Sequence, residues 1–242
     1  MGKHDEFIRA DGTSMTVAAF EAMARESVKV IDASGCTALT QIHADKAARI
    51  DASGCTALTQ IHADKAEIIY APGCTALTQI HADKAARIYA SGCTALTQIH
   101  ADKAEIIDAS GCTALTQIHA DKAARIYASG CTALTEIHAD NAAYIDATGC
   151  TALTEIHADK AGVIYAQNCT SLASLVHGGE DIRGYYFFGL THRGKYRIFA
   201  GCRNYTPEQA LAHWGPGGRS DRPDCLALVQ KIIAEIKIRE AA

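Results

Sequence analysis

The chain has 242 residues, 48% of them hydrophobic, which is enough apolar material for a buried core. Its 23 basic and 27 acidic side chains leave a formal net charge of −4, which gives no electrostatic case for nucleic acid or an anionic membrane as partner. No run of about 18 apolar residues occurs, and the opening MGKHDEFIRADGTSM holds no apolar stretch of the signal-peptide kind, so the expected setting is the cytoplasm.

The first predicted element is a helix. In TSMTVAAFEAMARES, Val17, Phe20 and Met23 fall at helical spacing behind Ser and Thr residues able to cap a helix. Residues 1–29 are therefore expected to form an N-terminal cap helix with its lead-in.

From Val30 the chain repeats itself. Ser110 to Ala128 reads SGCTALTQIHADKAARIYA, and nearly the same nineteen residues precede and follow it. Eight of the ten cysteines lie at positions 36, 55, 74, 93, 112, 131, 150 and 169, a constant spacing of nineteen. A disulfide framework has irregular loops, so this row is one packing position copied eight times, with Cys as a small buried hydrophobe. The early units also alternate Arg49, Ile68, Arg87, Ile106 and Arg125 at one position, as if a two-unit block had been duplicated.

Within a unit, Gly and Ser punctuate too often for a helix. The local period of two in RIYAS and QIHAD fits two short strands per coil, joined by tight arcs. Stacked coils would make two narrow parallel sheets facing each other, and eight coils at about 4.8 Å would give a rod roughly 38 Å long. The phrase Ala47-x-x-Ile50-x-Ala52-x-x-Cys55 recurs as Leu58-x-x-Ile61-x-Ala63-x-x-Ala66. It resembles the L-x-x-L-x-L-x-x-N/C segment of leucine-rich repeats of the cysteine-containing kind, over roughly Val30 to Leu175. The unit is shorter than most of that family's and has Ala at most of its Leu positions. The resemblance implies a mainly β solenoid, placed at 30–177, whose work is binding rather than catalysis.

Beyond Gly179 the composition changes, and residues 178–242 form a third segment. RGYYFFGLTHRGKYRIFAGC alternates on both sides of HRGK and predicts a β-hairpin, while HGGED and GPGG read as turns. Thr206, Pro207 and Gln209 spell an N-cap, an N1 proline and a capping box. A last helix is predicted from about Asp224, with Cys225, Leu228, Val229, Ile232, Ile233 and Ile236 as its apolar stripe. This ββαα module resembles, loosely, C-terminal segments of phage and prophage repeat proteins of unassigned role, around AGCR and HW.

Three surface rows are candidates for function. On the second strand, His62, His81, His100 and His119 stack with Asp64, Asp83, Asp102 and Asp121 two residues on, a ladder able to meet a partner. A flat row offers an ion only one or two ligands, where a structural metal site needs three or four. No metal or other cofactor is therefore expected, and the plain reading is a solvated sheet face. On the first strand, Tyr70, Tyr89 and Tyr127, beside Ile68 and Ile106, make a strip apolar enough for a homodimer interface. Thr56 and Thr59 repeat as two threonine rows; their plain use is to satisfy turn backbone, and their sharper one is a lattice for ice or a crystal surface. Outside the repeats, His192, Cys202, His213 and Cys225 are the candidates for chemistry, and no defensible metal or catalytic spacing joins them. The expectation is a non-enzymatic scaffold for a protein partner or a second copy of itself. An ice binder and an enzyme housed in the C-terminal module are the alternatives.

Overall fold

The computed structural model describes residues 6–8, 14–16, 29–158, 160–192, 195–201 and 203–241. Two short strands, β1 (Glu6–Ile8) and β2 (Ser14–Thr16), pair antiparallel. The helix expected over Val17 to Met23 lies outside the described residues.

Each nineteen-residue unit then makes one coil with two three-residue strands. The first strands are β3 (Val30–Asp32), β5 (Arg49–Asp51), β7 (Ile68–Tyr70), β9 (Arg87–Tyr89), β11 (Ile106–Asp108), β13 (Arg125–Tyr127), β15 (Tyr144–Asp146) and β17 (Val163–Tyr165). The second strands are β4 (Gln41–His43), β6 (Gln60–His62), β8 (Gln79–His81), β10 (Gln98–His100), β12 (Gln117–His119), β14 (Glu136–His138) and β16 (Glu155–His157). Every pairing is parallel and shifts by one unit, so Ile50 lies between Ile31 and Ile69. The eighth unit has no second strand of its own; the chain leaves the coil at TSLASL.

The pattern within a strand explains the packing. The central Ile points inward and its two neighbours point out. Ile, Ala, Cys and Leu rows fill the interior, and Cys55, Leu58, Ile61 and Ala66 are all fully buried. At the corner before each cysteine, Gly35 to Gly149 take φ of +71° to +77°, a conformation that favours glycine. In the eighth coil Asn168 takes this corner at φ 63°, and Asn is the side chain that best tolerates it.

One feature departs from a uniform stack. The first sheet runs unbroken through eight strands, but the second divides into β4 to β10 and β12 to β16. The bonds that tie Ala82 N to His100 O and Ala120 N to His138 O have no counterpart from Ala101 to His119. Ile99, at this break, is only partly buried. The same QIHAD sequence lies on both sides, so nothing local distinguishes this step from its neighbours.

The C-terminal segment holds four antiparallel strands where a hairpin was expected. They are β18 (Val176–Glu180), β19 (Tyr186–His192), β20 (Lys195–Ala200) and β21 (Arg203–Tyr205), in that order across the sheet. Two helices follow, α1 (Pro207–Trp214) and α2 (Pro223–Glu240). Strand alternation gives this sheet two jobs. Phe188, Leu190 and Phe199 join the solenoid core and close its open end, while Phe187, Ile198 and Val176 face the helices. Arg239 of α2 adds a polar tie, donating to the carbonyls of Ala173 and Leu175 where the last coil ends.

Candidate functional site

The histidine row is a stack of rings. His43, His62, His81 and His100 lie face to face at 4.8 Å, nearly parallel. A second run, His119, His138 and His157, continues beyond the break at 4.7 and 4.5 Å. His100 and His119, on either side of the break, are exposed.

Of the two flanks of the row, the rings meet the Gln and Glu side. Nε2 of His43, His81 and His100 lies 3.2–3.4 Å from Oε1 of the Gln two residues before it. Glu155 and His157 form a closer pair at 2.8 Å. Asp64, Asp83, Asp102 and Asp121 are exposed in the following turn and make no hydrogen bond to a histidine among the described residues. Asp64 and Asp83 act on His81 through space and favour its protonation. Burial and the flanking His100 and His62 outweigh them and lower its pKa. The row is thus a ladder of His with Gln or Glu, with the aspartates standing off it.

Chemistry narrows what this ladder can hold. The lone pairs of imidazole nitrogens lie in the ring plane, so stacked parallel rings aim them in parallel. Two nitrogens bound to one zinc ion are at most about 4.2 Å apart, twice an ordinary bond length of roughly 2.1 Å. Rings offset by 4.8 Å exceed that reach. Among the described residues, the group of potential metal ligands that converge is Asp181, Asp224 and Cys225. There Arg222 bonds Oδ2 of both aspartates, at 3.0 and 2.7 Å, so a guanidinium already occupies the position an ion would take.

On the opposite sheet Tyr70 stacks on Tyr89 at 4.9 Å, and Arg49 lies 5.0 Å over Tyr70. Tyr127 meets Tyr144, from the neighbouring row, and Tyr144 meets Tyr165. Ile68 and Ile106 are half-buried beside them. Asp108 interrupts the strip, and its carboxylate caps the amide of Ser110 at 3.0 Å. The strip is therefore two aromatic clusters.

The Thr59 row serves the backbone, while in the Thr56 row Thr113, Thr151 and Thr170 reach a carbonyl one coil back only at 3.3–3.5 Å. Thr59 Oγ1 donates to Thr40 O at 2.9 Å, and the hydroxyls of Thr78, Thr97, Thr135 and Thr154 repeat the bond from coil to coil. Each thiol from Cys55 to Cys169 does likewise, donating to an Ala carbonyl one coil back at 2.9–3.1 Å.

Of the non-repeated candidates, the side chains of His213 and Cys225 are described. His213 packs against the rings of Tyr205 and Trp214. Cys225 is buried, its thiol 3.7 Å from Asp181 and its pKa raised by that burial. His192 is in β19, and Cys202 lies outside the described residues. Two features escaped the sequence reading. One is the buried Asp181, whose DIRG turn is a recognisable Asx-type signal. The other is an open groove at the end of the solenoid, which no local pattern could announce.

Comparisons with protein-family models, with curated proteins and with solved structures gave no match. The function of this solenoid is therefore read from its own surface.

Proposed function

We propose that the chain is a non-enzymatic repeat scaffold, presenting regular side-chain rows to a protein partner or to a second copy of itself. The observation that supports this reading most is the histidine stack, four rings held 4.8 Å apart by strands whose register cannot slip without turning the core outward. Side chains already fixed in place lose little freedom on binding, which favours a repeat face as a docking surface.

The alternatives draw less support. Threonine hydroxyls that donate to carbonyls along the coil are committed to the frame rather than offered to an ice lattice. A catalytic reading would need a nucleophile beside a base, and the Cys225 thiol, its pKa raised by burial, faces a carboxyl held near 2.

Light scattering over a concentration series tests self-association, with the Tyr70→Ser, Tyr89→Ser, Tyr127→Ser variant alongside. A dimer that the triple variant turns into a monomer assigns the tyrosine strip to that contact. A dimer unmoved by the variant rejects the strip. A monomer throughout leaves only an outside partner, whose binding should vanish when His62, His81, His100 and His119 become Ser; binding that persists removes the histidine face.

A further inference from the structure

Where the last coil meets the antiparallel sheet and the two helices, a groove of about 860 Å³ opens. Ligand sites commonly fall between roughly 300 and 1,000 Å³, so it is large enough for a recognition role. Leu211, Ile233 and Ile236 are its apolar lining, and Leu211 is 38% exposed. Its charged lining is mostly cationic. Lys160 comes from the last coil, Lys195 and Arg197 from β20, and Lys237 from α2, against two carboxylates, Glu208 and Glu240. A chain of net charge −4 thus reverses its sign locally, with four cations to two anions among the described residues that line the opening. Among the described residues, none of the four is paired with a carboxylate.

The groove is also built in advance. Asn204 accepts from Arg197 Nε at 3.0 Å and donates from Nδ2 to the carbonyl of Ala161 at 3.1 Å. One side chain therefore locks the sheet to the last coil and fixes one cation of the lining. A lining that joins apolar side chains to cations paired with no carboxylate among the described residues matches a ligand that carries both apolar side chains and carboxylates.

We propose that this groove binds an acidic peptide segment carrying one or two large apolar side chains, which would cover Leu211 and Ile233 while its carboxylates meet Lys160, Lys195 and Lys237. The groove spans coil, sheet and helix, and an extended segment uses that length better than a compact ion does. The inference is independent of the histidine and tyrosine rows, which lie on the sheet faces.

The test is fluorescence anisotropy on the full chain with a labelled peptide, Asp-Glu-Phe-Leu-Asp-Glu. Saturable binding is expected, weakening as salt rises, and weakened roughly tenfold by the Lys195→Glu, Lys237→Glu variant. Replacing Phe and Leu of the peptide by Ser should abolish it, and Leu211→Glu should do the same from the protein side. Both lysines are exposed, so an unchanged thermal midpoint is expected to show that the variant folds. The proposal is overturned if binding is absent up to millimolar peptide. It is equally overturned if Lys-Lys-Phe-Leu-Lys-Lys binds as well, or if affinity is the same in both protein variants. Variants of the histidine ladder should retain the peptide; its loss there would place the site on the ladder instead.

Discussion

The thiol of Cys93 donates to the carbonyl oxygen of Ala71, 22 residues back and one coil away, at 3.0 Å. Both residues are fully buried, so the bond has no water to replace it. Cys93→Ala removes the donor and opens a small void, and should cost about 1–3 kcal/mol in a urea titration. Cys93→Ser, which keeps a donor, should cost less. Cys93→Asp places an unpaired charge in the stack and should leave no folded protein. An aspartate variant as stable as the parent would refute the inward assignment of the whole cysteine row.

Three thiols of the same row predict alkaline lability. Burial pushes Cys55 from 9.0 to about 12 and Cys169 to about 11, while the Cys112 thiol, with burial, holds Cys93 at about 12. Above pH 9 the unfolded chain releases these protons and the folded chain keeps them. The stabilisation is therefore complete below pH 9 and drains away as pH climbs towards 12, by at most roughly 1.4 kcal/mol per thiol per pH unit. The thermal midpoint should fall steeply over that window. A flat profile would mean that the thiols ionise in the folded state.

The histidine stack predicts a second loss on the acid side. Burial and the flanking rings lower the pKa of His81 in the folded state, so below about 6.5 the unfolded chain binds the proton that the folded chain refuses. Stability should decline as pH falls through this range, and His81→Gln should lessen the decline. In an NMR titration, the His81 ring should titrate at a lower pH than free imidazole; a midpoint above 6.5 would contradict the stacked arrangement.

Asp181 carries the analogous prediction for the C-terminal segment. Burial alone would raise its carboxyl, but the amides of Tyr185 and Arg183 and the guanidinium groups of Arg222 and Arg183 bring it to about 2, from 3.8. This contributes roughly 2 kcal/mol above pH 3.8, lost as pH falls through 2. Asp181→Ala leaves Arg222 with Asp224 alone and takes the acceptor from the Arg183 and Tyr185 amides, and should cost about 1–3 kcal/mol, read as a lowered unfolding midpoint. A cost below 1 kcal/mol would show that solvent reaches Arg222 in its place.

The coils were legible because periodicity is a strong signal: a spacing of nineteen places Ile50, Cys55, Leu58 and Ile61 inside without reference to any other segment. The capping box at Thr206 and Gln209 was equally local, and both of its bonds form, at 2.9 and 3.1 Å. β18 was not legible, because its glycines imitate a turn. Gly178 is there because a Cβ would lie 2.7 Å from Ile232, and Gly189 for a similar reason, so these glycines record the approach of α2. The histidine row was legible, but not which of its flanks the rings would meet. Ring direction is set by strand geometry, which brings Nε2 towards the Gln two residues before it and leaves the Asp in the turn. The groove was beyond reach, since its cations come from three distant segments.

The interruption between β10 and β12 has a mechanical meaning. One sheet passes this point as a continuous strap, while the other is cut, leaving Ile99 partly open to solvent. A beam built this way does not flex evenly along its length. Compliance gathers at the cut, the strap acts as the leaf of a hinge, and a load across the rod would open the gap at His100 and His119 before disturbing any other coil. The four coils before that joint and the coils after it would then move as two stiff arms.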